Sequence, residues 1–281
     1  MHTVEVSAGP IEYEDTGGSG PPIVFLHGLL QNAMLWRNVI PALEDSYRCV
    51  APTWPIGSHR LPMRPDADLT LAGQADLLEE FLERLDLSEV TLVQADSGMG
   101  LKLCGRNPGR VARLALVACE AFDNYPPGVA GKMAGYACRV PGGVFAVMQS
   151  LRIRALRRSP LTLGWMTKRP VPDAVTDAWF APAIGNRAIR RDLAKYGGAA
   201  RKEQMAAATE DLRHFDKPTL VVWATEDKLM PHAHGRRLAD VLPQGRLVEI
   251  DDSYTLIPED RPAELARVLE EFLAATAGGA A

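Results

Sequence analysis

Cysteine is scarce in this sequence: four residues in 281, with no Cys-x-x-Cys pair. Cys49, Cys104, Cys119 and Cys138 stand far apart, which argues against a disulfide framework and for free thiols in a reducing cytoplasm. Long apolar runs are missing too. No stretch approaches the ~18 residues of a membrane-spanning helix, and the opening "MHTVEVSAGP" has no apolar signal core. A cytoplasmic protein without a membrane partner is therefore expected. Positive charge is not in excess, since the net charge is −4, so a nucleic-acid partner is not expected either. The His232-x-His234 pair lacks a further ligand cluster, so no metal is expected. "GPIEYEDTGGSG" is Gly-rich but follows no buried strand and lacks the Lys of a phosphate-cradling loop. No organic cofactor is implied.

What is present suits one sizeable soluble domain with room for an insertion: 47% hydrophobic and 23% charged residues. The runs Pro22–Leu26, Tyr47–Ala51, Leu114–Ala118, Thr219–Trp223 and Leu247–Ile250 read as buried strands, as does the run beginning at Val90. Leu71, Ala75, Leu78, Leu82 and Leu85 recur at spacings of four and three, which is one face of a helix. Leu265, Val268, Leu269, Phe272 and Leu273 mark a final helix. Apolar strands alternating with helices predict an α/β fold with a mostly parallel sheet covered on both faces. The alternation fails between about 123 and 208, a segment rich in Gly, Pro, Arg and Ala. It is read as a helical cap inserted into a core made of 1–122 and 209–281. The cap carries fourteen Lys and Arg against five Asp and Glu. Two readings of that charge stay open: a solvated surface paired with the acidic core, or a lid that attracts an anionic substrate.

The stretch "VTLVQADSGMG" begins as a strand and breaks into a turn. A sharp strand-to-helix turn needs small residues around its tip, and the tip residue is strained with its side chain held above the sheet. With Asp96 at the tip, Gly98 stands two positions later; with Ser97 there, the bulky Met99 does. Register therefore favours Asp96, with Ser97 as runner-up. Gln94 occupies a position where glycine is usual. A plain helix N-cap is the competing role for Asp96.

With these pieces in order, the chain resembles the α/β-hydrolase superfamily over nearly its whole length. The matching segments are "PPIVFLHGLLQNAMLWRNVIPAL", "YRCVAPTWPIGSHRLPM", the Asp96 turn, "NPGRVARLALV", "KPTLVVWATEDKLMP" and "LVEIDDSYTLIPEDRPAELARVLEEFL". The Asp at the turn and the segment after His27-Gly28 look most like the branch of haloalkane dehalogenases and epoxide hydrolases. The overall resemblance is to actinobacterial proteins of this fold. The resemblance implies a fold with an inserted cap, backbone N–H groups of Leu29 and Ser97 as an oxyanion pocket, and a loop-shaping role for His27. It implies an acid at Asp227 or, alternatively, at Glu120. Trp36, Tyr125 and Tyr254 join His27 as candidate substrate contacts.

The departures are informative. Relatives place a histidine in the loop after the last strand, and here the aligned residue is Thr255. A threonine cannot take a proton near neutral pH, whereas an imidazole can. An ester formed on Asp96 would lack the base that releases it. His59, in "PIGSHRLPM", is the one histidine positioned to substitute, and a loop anchor is its competing role. The halide-binding Trp and amide of dehalogenases are replaced by Ser97 and Leu29. Three functions remain: hydrolysis of a small hydrophobic ester, lactone or epoxide through Asp96; a non-hydrolytic cyclase, lyase or carbon–carbon bond-forming enzyme of secondary metabolism with Asp96 as general base; or an inactive small-ligand binder. The oligomeric state is left open.

Overall fold

The computed structural model describes residues 1–276. Eight strands form one sheet in the order β1-β2-β4-β3-β5-β6-β7-β8. They are β1 (His2–Val6), β2 (Gly9–Asp15), β3 (Pro22–Leu26), β4 (Arg48–Thr53), β5 (Val90–Asp96), β6 (Val111–Cys119), β7 (Thr219–Ala224) and β8 (Gly245–Ile250). β1, β2 and β4 pair antiparallel, and the remaining pairs are parallel. The mostly parallel sheet matches expectation. The hairpin of β1 and β2 does not appear in the sequence reading, because its Glu5, Glu12 and Glu14 interrupt any apolar run at this exposed edge.

The central strands are buried along their whole length, as strands covered on both faces must be. α1 (Leu71–Arg84) is started by Thr70, whose side chain accepts a hydrogen bond from the Gly73 N–H. It buries Ala75, Leu78, Phe81 and Leu82 against one side of the sheet. α2 (Met99–Arg106) follows β5 directly. α3 (Gly128–Arg139), α4 (Gly143–Ser150), α5 (Asp173–Gly185), α6 (Arg187–Ala199) and α7 (Lys202–Asp211) lie between β6 and β7. α8 (His232–Val241), the short α9 (Ile257–Asp260) and α10 (Pro262–Thr276) complete the chain. α7 packs against α2, and residue 208 lies inside that helix.

The helices between β6 and β7 are tied down by a few buried polar contacts. Asp192 of α6 accepts from the Met63 N–H at 2.9 Å and lies 3.2 Å from His59 Nε2. The Ser58 hydroxyl donates to the Trp179 carbonyl of α5 at 2.7 Å. Part of the segment's positive charge is spent on ion pairs: Arg154 and Arg157 with Asp177, and Lys168 with Glu226 and Asp252.

Candidate active site

β5 ends at Asp96, where the ladder with β6 shifts register and the backbone turns to φ 62°. A non-glycine residue in that left-handed region is strained and is held there by its surroundings. Gln94 supplies much of the restraint. Its Oε1 accepts from the Gly100 N–H at 2.9 Å, and its Nε2 donates to the Ser97 hydroxyl at 2.7 Å. The residue that departs from the usual glycine is thus a side-chain brace across the turn. Ser97 is committed elsewhere: its hydroxyl donates to the His27 carbonyl at 3.0 Å and its N–H turns back on the Ala95 carbonyl at 2.7 Å. Asp96, the residue favoured by register, thus holds the positive-φ position, while the Ser97 hydroxyl and N–H are both engaged within the turn and the neighbouring loop.

The Asp96 carboxyl group is buried against Gly28, where an added Cβ would lie only 1.8 Å from Oδ2. It accepts from the Leu29 N–H and, at 3.2 Å, from Gln31 Nε2. Burial, reinforced by the nearby Asp227 charge, pushes its pKa up to about 7, despite those two donors. Gln31 is absent from the sequence reading. Its signal was a lone amide in the apolar "HGLLQ", three residues past Gly28.

Asp227 follows β7 and reaches the same edge of the sheet. Its Oδ1 accepts from the Leu229 and Met230 N–H groups and from the Thr255 hydroxyl, at 2.8, 2.9 and 2.8 Å. Its buried Oδ2 has no partner, and burial raises its pKa to about 6. Thr255 therefore sits beside Asp227 and gives it a hydrogen bond. Glu120 comes just after β6, and its N–H donates to the Asp96 carbonyl at 2.8 Å. Burial and the Asp96 charge raise its pKa well above the carboxylate range, and its Oε2 has no partner. Both sequence-predicted acids are thus present at one edge.

Asp96 and Glu120 line a cavity of about 150 Å³ together with Tyr125, Tyr196, Leu29 and Phe180. Among the described residues no Lys or Arg lines it. Tyr125 and Tyr196 lie close together, and burial next to Glu120 raises both pKa values. Tyr196, on α6, contributes part of the cavity wall.

Other predicted residues lie elsewhere. His27 is fully buried, with Nδ1 donating to the Gly28 carbonyl and Nε2 accepting from the Trp54 N–H; burial lowers its pKa to about 4. Both nitrogens are used, so it shapes the loop and does not touch the cavity. Trp36 packs on Phe25 in the core. Tyr254 lies under the Lys168 and Lys228 ammonium groups, outside the cavity wall. His59 is bound to Asp192 and is not part of the cavity wall, which removes it as a substitute base.

A family model described as alpha/beta hydrolase fold matches residues 21–262. Over 274 residues the chain is 25% identical to a cis-3-alkyl-4-alkyloxetan-2-one decarboxylase of Shewanella oneidensis, covering 92% of this chain and 84% of that protein. Over 283 residues it is 27% identical to haloalkane dehalogenase 2 of Mycobacterium tuberculosis, covering 95% and 92%. A loop variant of a haloalkane dehalogenase from Bradyrhizobium elkanii superposes with a TM-score of 0.82 at 22% identity, over 100% of this chain and 98% of that one. At that identity the structural likeness speaks for the fold alone.

Proposed function

The chain belongs to the alpha/beta hydrolase fold family of enzymes, and from that premise we propose that it catalyses proton transfer on a small, neutral, apolar carbonyl compound. Asp96 is the general base. It takes a proton from a carbon acid or hydroxyl of the substrate and returns it elsewhere on the product, as an isomerase, lyase or cyclase requires. A carboxyl group with a pKa near working pH is suited to both directions. Glu120 stays neutral in its apolar setting and donates a hydrogen bond to the oxyanion that develops, a known use of a buried carboxylic acid. Tyr196 and Tyr125 extend that donor set. The cavity holds carboxyl groups and no cation, so an anionic substrate is disfavoured. A cavity of about 150 Å³ takes a body the size of a benzene ring.

The observation that carries this reading is the hydrogen bond from Thr255 to Asp227. It leaves Asp96 without an imidazole to activate water, so chemistry that needs no covalent ester is favoured. The relatives and the strained turn support a second reading, in which Asp96 attacks an ester, lactone or epoxide directly. Incubation in heavy water with a panel of small ketones, lactones and epoxides separates the two. Deuterium at the carbon next to the carbonyl, abolished in Asp96→Asn, is the expected result. A mass adduct on Asp96, or oxygen-18 entering Asp96 from labelled water, would instead establish the nucleophile. No exchange, no adduct and no turnover across the panel would leave a binding protein.

A further inference from the structure

Nine of the ten exposed large apolar side chains among the described residues fall between Val129 and Leu161. Met133 is 53% exposed, Tyr136 69%, Phe145 54% and Ile153 58%. The same region has an unusual charge pattern. From Asn124 to Pro172 there is no Asp or Glu, while eight Lys and Arg are present. Lys132, Arg139, Arg152 and Arg158 make no ion pair among the described residues. Soluble surfaces rarely gather so much apolar area in one place, and such a patch usually has a partner.

The patch is continuous with the cavity. α3, α4 and the stretch after Ile153 each contribute both exposed apolar residues and cavity wall: Ala130 and Ala134, Val147, and Leu161. Val147 and Leu161 are themselves exposed at 38% and 48%, so the wall of the cavity emerges within the patch.

We propose that this face of the cap lies on the surface of an anionic lipid bilayer and admits lipophilic substrate from it into the cavity. Apolar side chains flanked by unpaired cations are the features that hold a protein in the headgroup region. A second copy of the chain is a poor occupant, because a two-fold contact would set carboxylate-free basic faces against each other. No helix among the described residues is long and apolar enough to cross a membrane, and surface attachment needs none. Substrate entry by this route rests on the cavity being the catalytic site; attachment does not.

The test is co-sedimentation of the full chain with phosphatidylcholine vesicles containing roughly a third phosphatidylglycerol, and with pure phosphatidylcholine. The expected result is pelleting with the anionic vesicles and at least about tenfold weaker partitioning to the neutral ones. Tyr136→Ser with Phe145→Ser should weaken partitioning by about tenfold or more at unchanged melting temperature. Arg152→Glu with Arg158→Glu should do the same. Asp96→Asn should bind vesicles like the native chain, so loss of turnover and loss of attachment are told apart. Protein left in the supernatant with anionic vesicles overturns the proposal. So does equal binding to both vesicle types, a dimer in light scattering that the Tyr136 and Phe145 substitutions dissociate, or capture by polyglutamate with no vesicle binding.

Discussion

Replacing Asp96 with asparagine should make the protein more stable, and the gain should depend on pH. The native pKa of Asp96 is about 7, against an ordinary value of 3.8. The folded chain therefore holds this proton to higher pH than the unfolded chain does. Between about pH 4 and 7 the native state binds more protons, so stability falls as pH rises through that window. Above pH 7 the folded protein carries a buried charge that the unfolded chain hydrates freely. Roughly three pKa units correspond to a penalty of roughly 4 kcal/mol. Asparagine removes the charge but turns an amide donor toward Gln31 Nε2 or the Leu29 N–H, which costs about 1 kcal/mol. The net gain at pH 8 is about 3 kcal/mol, or about 5–10 °C in melting temperature for a chain of this size. Near pH 4.5 the native penalty is only about 1 kcal/mol and the gain should vanish. Urea denaturation of both proteins at pH 8 and pH 4.5 measures this directly. An Asp96→Asn protein no more stable than native at pH 8, or equally stabilised at both pH values, would refute the claim that Asp96 is a desolvated, functionally held carboxyl group.

Three further outcomes follow from the same site. Thr255→His sets an imidazole beside Asp227 and should raise ester or lactone hydrolysis by about a hundredfold, read as oxygen-18 incorporation into product acid; no gain would mean that the missing base is not what blocks hydrolysis. Gly28→Ala drives a methyl group into Asp96 Oδ2 and should abolish turnover while costing about 1–3 kcal/mol of stability, so a fully active variant would show that the carboxyl group need not sit where it does. Gln94→Ala strips the Gly100 N–H and the Ser97 hydroxyl of their buried partner and should cost about 1–3 kcal/mol in urea denaturation; a change below about 0.5 kcal/mol would dismiss the brace.

Sequence alone determined the parallel sheet, because strands buried on both faces must be apolar throughout, and Ile23–Leu26, Leu114–Cys119 and Leu220–Ala224 carry that signature in consecutive residues. Register favoured Asp96 over Ser97 at the turn, because Gly98 then stands two positions later, but a plain helix N-cap stayed open until the structure gave Asp96 a φ of 62°; the threonine at 255 stood out only against the resemblance. Strands β1 and β2, at one end of the sheet, were hidden because a half-exposed strand tolerates the Glu residues that break the apolar pattern. Tertiary structure decided everything that depends on which polar groups meet. Gln31 reaches Asp96 across 65 positions, His59 meets Asp192 across 133, and Thr255 meets Asp227 across 28. Those distances in sequence carry no local periodicity. The raised pKa values of Asp96 and Glu120 likewise arise from water excluded by α6 and the chain around Tyr125, and no residue type announces its own desolvation.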